Sequence, residues 1–406
     1  MLLSLLLATA SPAAAQSVSQ RGFVEGRGYL FFERAPNDAT RAVGDLTVRE
    51  EVFVKPVPWM QFAGGVELRA NTHDQVEDAW RTDASDRGAR RPRLSIRRLT
   101  ATLTRKGLTL DLGKQFIRWG KTDIITPTDR FAPRDFLNVI DNDFLAVTGA
   151  RATVVTGAET IEAVWLPRFT PSRVALLGQR WTPVPPQAAA VPIVDAGTTF
   201  PNGRQTGVRW SHSGGRYELA GTFFNGFNHL PDVEAHLRPA FPPDIAITRR
   251  YPAIRMYGAD GAVPARWITV KGDAAYFTSA SPDSDELVLY VVQLERQTGE
   301  WLLVGGYAGE AVTRRRTALS LAPDRGLTRS LIGRAAYTID TNRSVAFEGA
   351  VRQNGRGAYV KVEYSQARGR HWRATIGGAL LRGDPGDFLG QYRRNSHGIL
   401  SLRYSF

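Results

Sequence analysis

The stretch that most limits what this chain can become is its last, His397–Phe406 (HGILSLRYSF). Leu400, Leu402, Tyr404 and Phe406 share one face, and Ser401, Arg403 and Ser405 share the other. Strict period-2 alternation is the geometry of a strand with one apolar and one wet face. The pattern returns throughout the chain. Leu46, Val48, Val52 and Val54 alternate with Thr47, Arg49, Glu51 and Phe53; Met60, Phe62, Val66 and Leu68 with Gln61, Glu67 and Arg69. Leu108, Leu110 and Leu112 alternate with Thr109 and Asp111; Val345, Phe347 and Val351 with Glu348 and Arg352; Val360, Val362 and Tyr364 with Tyr359, Lys361 and Glu363. A soluble sandwich has to bury all these apolar faces in one core. A barrel in lipid turns them outward and keeps the charged faces in a wet lumen. The alternation therefore predicts an all-β chain, a transmembrane antiparallel β-barrel.

Eighteen candidate strands follow from the pattern, roughly 22–34, 44–54, 58–71, 93–106, 108–118, 146–156, 158–166, 204–212, 216–225, 250–259, 264–280, 284–296, 300–313, 327–340, 343–354, 356–367, 370–382 and 396–406. Sixteen is the alternative count, since such boundaries carry errors of two to four residues. Short connections such as Lys106–Gly107 and Gly157 alternate with long ones at 72–92, 119–145, 167–203, 226–249, 314–326 and 383–396. Short periplasmic turns opposite long external loops are the rule for outer-membrane barrels, with both termini on the periplasmic side.

Composition sets outer bounds. The 406 residues contain no cysteine, which excludes disulfides and Cys-ligated metal. No stretch reaches the ~20 apolar residues of a membrane-spanning helix. Residues 1–15 (MLLSLLLATASPAAA) have the apolar run and small-residue end of a secretory signal peptide, with Ala13 and Ala15 at the small positions before Gln16. A positive leading region is absent, which points to a start upstream of Met1. Residues 16–406 are then a single barrel domain. The net charge of +13 is spread over every strand with no recognition motif, which argues against nucleic acid and suits anionic lipopolysaccharide outside and anionic solutes inside.

One block breaks the alternation, Gly113–Phe144. It sets Arg118, Lys121, Arg130 and Arg134 among Asp123, Asp129, Asp135, Asp141 and Asp143, with Trp119, Phe131, Phe136 and Phe144 between them. Pro127 and Pro133 lack the donor a sheet ladder needs, so the block is an ordered loop. A loop this charged and aromatic suits a confined polar space, and residues 119–145 are expected to fold into the lumen. There Arg118, Lys121, Arg130 and Arg134 would set an electrostatic filter, held by Asp123, Asp129 and Asp135 and packed by Trp119. The second reading of the same cluster is that its charge pairs only pin the loop to the barrel wall. Lumen-facing Arg49, Arg69, Arg352, Lys361 and Arg403 would add to a positive interior.

Three resemblances join the pattern. On this strand count the block is the third external loop, the position that folds inward and narrows the barrel in general porins. Trp119-Gly120-Lys121-Thr122-Asp123, Pro127-Thr128-Asp129 and Pro133-Arg134-Asp135 resemble a block of porin-like outer-membrane barrel proteins of Gram-negative bacteria that brings no established substrate; the similarity continues through Glu162–Trp181. The ending Leu402, Tyr404, Phe406 resembles the C-terminal assembly signal of bacterial outer-membrane proteins, which implies the barrel assembly machinery as a partner.

Other constellations are weak. His229 and His236 with Asp232 and Glu234 are too irregular for a metal site, and Asp283, Asp285 and Glu286, or Asp384 and Asp387, lack the calcium-loop pattern. Proline-rich 166–201 reads as a surface loop. There is no Gly-x-Ser-x-Gly elbow or zinc helix, and Ser396 and His397 would point to opposite faces of one strand. No enzyme, metal or cofactor is expected. The expected function is passive diffusion of small hydrophilic, mainly anionic, solutes across the outer membrane. The alternative is a plugged structural or adhesive barrel whose loops bind a partner.

Overall fold

The alternating segments form strands because lipid on one side and polar contacts on the other satisfy both faces. The computed structural model describes residues 17–406 except 81, 124, 184–190, 240–242, 282–283, 316–318 and 321–322. The expected signal peptide, Asp283 and the centre of the proline-rich loop lie outside the described residues.

The barrel strands are β1 (Ser17–Phe31), β2 (Ala42–Val57), β3 (Met60–Asn71), β4 (Leu94–Arg105), β5 (Leu108–Gln115) and β6 (Val147–Thr156). There follow β7 (Glu159–Leu166), β8 (Gln205–Ser213), β9 (Glu218–Phe227), β10 (Ala253–Pro264), β11 (Thr269–Ser279) and β12 (Glu286–Thr298). The last six are β13 (Trp301–Arg314), β14 (Ser330–Asp340), β15 (Arg343–Arg352), β16 (Gly357–Arg368), β17 (Trp372–Gly383) and β18 (His397–Ser405). Each pairs antiparallel with its successor, and β18 returns to β1 from Phe23↔Ser405 to Phe31↔His397. The result is a closed barrel of eighteen strands, so no edge is left unpaired in the hydrocarbon.

Alternation decides which face is which. On β18, Leu400 and Leu402 are 62% and 51% exposed while Ile399 and Ser401, which alternate with them, are buried. The outward residues form the lipid belt. Trp301 meets Tyr337 at 4.7 Å and Trp372 meets Tyr404 at 4.9 Å near the short-turn end, where an aromatic girdle sits at the membrane interface.

Two features depart from expectation. β1 begins at Ser17 and not near 22, because β2 runs on to Val57 and supplies ladder partners for 17–21 (Ser17↔Lys55), which have no apolar alternation of their own. Residues expected as plain loops also build a small sheet outside the barrel. Ile193–Thr199 runs parallel to Asp244–Arg250, which pairs antiparallel with Asp232–Arg238, joined in turn by Leu319–Ser320. Its partners come from three different loops, so no local pattern announces it.

Candidate functional site

The segment between β5 and β6 is held by two kinds of force on two sides. Its apolar residues Ile117, Trp119 and Phe131 pack on inward Val147, Val164, Phe224, Met256 and Leu289, from β6, β7, β9, β10 and β12. Phe131 fits because Gly207 on β8 carries no side chain; a Cβ there would sit 2.7 Å from the ring. Gly120 turns the chain with φ +96°, and a Cβ would lie 2.1 Å from Thr126 and 2.5 Å from Asp273. Thr128 donates its N–H and hydroxyl to the Asp273 carboxylate of β11, both at 3.2 Å.

Polar contacts run to the other walls. Lys121 pairs with Glu218 on β9. The Asp123 N–H donates to Gln293 Oε1 on β12 at 3.0 Å, and its carboxylate takes Lys271 Nζ of β11 at 3.0 Å and the Gln293 amide. Asp141 accepts from Lys361 Nζ of β16 at 2.6 Å. Asp143 lies 3.3 Å from Arg97, 3.5 Å from Arg49 and 3.8 Å from Arg69, on β4, β2 and β3. A bulge opposite Gly65 and Val66 inserts Arg97 into β4, so Arg97 and Arg98 both reach the Phe116 ring. One loop thus touches strands all round the barrel.

The eight residues expected in the filter divide into two groups. Asp123, Asp129, Arg130 and Arg134 line a chamber of about 450 Å³ between the loop and the β11–β16 wall. Arg118 binds the buried Asp129 at 2.6 Å and stacks on Phe144, whose ring also carries Arg134 at 4.3 Å. Arg130 stands 3.5 Å from Asp324 and over Phe277. Trp119 and Asp135 are turned away from the chamber. Trp119 is buried edge-to-face on Phe131 at 4.9 Å, because a ring of that size gains most from the apolar wall. Asp135 accepts two bonds from Arg91, at 2.8 and 3.0 Å, and one from Arg173 at 3.4 Å. Burial alone would raise its pKa, yet the two guanidiniums hold the carboxyl well below its usual range. Lys121 does not line the chamber either.

The five expected wall residues all face inward, and each has a carboxylate partner. Arg49 and Arg69 share Glu67 at 2.6 Å each, Arg352 meets Asp387 at 3.2 Å, Lys361 meets Asp141, and Arg403 meets Glu25 at 2.6 Å. Two chamber cations stand otherwise. Among the described residues no carboxylate lies within 4 Å of Arg134, which donates to Asn142 at 3.0 Å, or of Arg334 on β14.

Several residues here carried no signal in the sequence: Glu67, Arg91, Arg173, Lys271, Gln293 and Asp273 look like any polar wall position. His229 is another. Its Nε2 faces the Arg130 carbonyl at 2.7 Å and its Nδ1 the Thr170 carbonyl at 2.8 Å, with the ring stacked on Phe169. The ring bridges two loops; burial pushes its pKa down to about 4, against the two carbonyls, which favour the protonated ring. Asp232 accepts from Ser284, and among the described residues no three potential ligands gather round a metal position. Ser396 bonds backbone carbonyls of Leu381 and Arg393, and His397 that of Asn395. On β18 the expected assembly residues Leu402, Tyr404 and Phe406 belong to the outward girdle, with Phe406 paired to Gly22 through the backbone.

No protein-family model and no curated protein sequence matches the chain. Solved structures do match in fold. Pseudomonas aeruginosa OpdQ aligns with a TM-score of 0.56 at 10% identity, over 97% of this chain and 99% of that one. A BenF-like porin from Pseudomonas fluorescens Pf-5 aligns with 0.57 at 10% identity over 96% and 98%, and Acinetobacter baumannii OccAB4 with 0.54 at 10% over 95% and 97%. The fold is that of the porins of Gram-negative outer membranes.

Proposed function

We propose that this chain is an outer-membrane channel for passive diffusion of small hydrophilic solutes, biased toward anions. The reading rests above all on one observation: the loop that bridges the barrel leaves a chamber whose lining includes Arg134 and Arg334, cations without a carboxylate within 4 Å among the described residues. A confined cation raises the local concentration of passing anions; Arg130 and Lys271 line the same chamber, the first 3.5 Å from Asp324 and the second paired with Asp123 and Glu295. Residues 119–145 act as the constriction in the lumen. Arg118 with Asp129, Lys121 with Glu218 and Asp135 with Arg91 hold it in shape, while Arg130 and Arg134 do the filtering. Transport needs no covalent step. Lipid and lipopolysaccharide surround the belt, and the C-terminal girdle engages the assembly machinery.

The plugged-barrel reading has an observation of its own: the β1–β3 sector is roofed by external loops, where Arg180, Trp181, Phe31 and Tyr392 are buried together. Single-channel recording in planar bilayers separates the two. The channel reading expects discrete conductance steps; their absence in correctly folded protein favours the plug.

A further inference from the structure

The lipid-facing wall is not ridged throughout. One cross-strand row on β12–β16 reads Leu294, Gly305, Gly333, Gly349 and Val360, each the register partner of the next. The rows on either side carry bulk, with Leu303 and Phe347 toward the short-turn end and Leu331 and Val351 toward the loops, all exposed. The glycines therefore floor an outward furrow of about 520 Å³.

The protein itself has no need of glycine at two of these positions. Gly305 and Gly333 do not have positive φ. A Cβ on Gly305 would meet nothing within 4 Å, and one on Gly333 only the Val304 carbonyl at 3.9 Å. Gly349 differs, since a Cβ there would lie 2.9 Å from the Tyr359 carbonyl. Glycine weakens a strand interior, and where neither backbone nor packing requires it, it marks a close approach from outside.

The furrow has one charged end. Arg296 on β12 is the register partner of Leu303 and lines the furrow near Leu294. Its guanidinium lies 5.4 Å from the centre of the Trp267 ring, and among the described residues no carboxylate lies within 4 Å of it. Glu295 beside it is taken by Lys271. Trp267 is exposed at the short-turn end, as are Trp301 and Tyr337 of the girdle, so Arg296 stands at headgroup height. From there the row climbs, because Leu294 is near the turn end of β12 and Val360 near the loop end of β16. Four strand steps of ~4.8 Å make it ~19 Å long, and strands tilted ~40° raise it by ~12 Å, within the ~15 Å of one leaflet.

An apolar trough that begins at an arginine without a carboxylate and climbs to mid-membrane fits a phosphodiester joined to an acyl chain. Guanidinium and phosphate pair bidentately, and an aromatic face holds the guanidinium without neutralising it. We propose that this furrow binds one phospholipid of the periplasmic leaflet, with its phosphate on Arg296 and one chain over Gly305 and Gly333.

Native mass spectrometry of the full-length barrel, released from micelles doped with one lipid at a time, tests the site. The probes are dioleoyl phosphatidylglycerol, dioleoylglycerol (the same chains without the phosphate) and lipid A. The expected result is one retained phosphatidylglycerol per barrel, with dioleoylglycerol held about tenfold more weakly. Arg296→Gln should weaken phosphatidylglycerol by the same factor and leave dioleoylglycerol unchanged. Gly305→Leu with Gly333→Leu fills the trough and should abolish retention of both in heat-modifiable protein. Equal retention of the two lipids by wild type, tighter retention of lipid A, or undiminished phosphatidylglycerol in either variant overturns the proposal. So does a wild-type oligomer that the filled variant turns into monomer, since the furrow then seats a second copy. The wild-type comparison needs neither a variant nor conductance, so its failure is separable from that of the channel reading.

Discussion

Asp141, at the far side of the long loop, accepts a 2.6 Å hydrogen bond from Lys361 on β16, a residue 220 positions away in sequence. Both groups are mostly buried, so the bond fixes where the loop ends its crossing of the barrel. Replacing Lys361 by Met leaves the Asp141 carboxylate buried without its cation, which costs about 3 kcal/mol. The expected outcome is faster proteolysis within 119–145 and noisier open-channel current. Adding Asp141→Asn to Lys361→Met should recover much of the loss, because no buried charge is then left alone. A loop equally protected in the single variant and the wild type would show that the pair does not hold it.

Acid should release the same loop from its other anchor. Asp135 titrates below its ordinary 3.8 in the folded state because Arg91 and Arg173 outweigh the effect of burial. A lowered carboxylate pKa gives stability that is present above the unfolded value and is lost as pH falls below it toward the folded one. Protection of 119–145 against an acid-active protease should therefore drop below about pH 4. Asp135→Asn should lower protection at neutral pH and flatten that acid step. A variant that keeps the full acid step would assign it to another carboxylate.

The girdle at the end of β18 has a direct test. Tyr404 and Phe406 lie among His371 and Trp372 at the lipid interface, beside the seam where β18 closes on β1. Changing both to Asp places charge on the lipid face at roughly 2–4 kcal/mol or less per residue, depending on depth. Heat-modifiable barrel should disappear from the outer-membrane fraction. Normal levels of the double variant would separate this end from assembly.

The strands were legible because their signal is local: Leu400, Leu402 and Tyr404 face lipid whatever the rest of the chain does. The order of strands followed from that pattern, and the closed barrel has the eighteen expected and not the alternative sixteen. What lay beyond reach depends on partners far away in sequence. Nothing near Asp135 says that Arg91 and Arg173 will enclose it, and nothing in Trp119 says that Gly207 and Phe224 make room for its neighbour Phe131. The loop block could be recognised as special by its composition, but its residues could not be sorted into those that face water and those that pack. The sheet of Ile193–Thr199, Asp232–Arg238 and Asp244–Arg250 was hidden for the same reason.

The central claim is that Arg130 and Arg134 bias the chamber toward anions. A unit charge 4 Å from a passing ion is worth ~4 kcal/mol at an effective dielectric near 20 and ~1 kcal/mol in water, and a wet constriction lies between. The aspartates of the same loop oppose the bias, and three of them are matched by Lys361, Lys271 and Arg91. The measurement is the reversal potential in planar bilayers under a KCl gradient, for wild type and for Arg130→Glu with Arg134→Glu. Wild type should prefer chloride, and the double variant should shift several-fold toward potassium at low salt, with the difference shrinking near 1 M where screening shortens to ~3 Å. The same ion preference in both proteins at low salt would contradict the account.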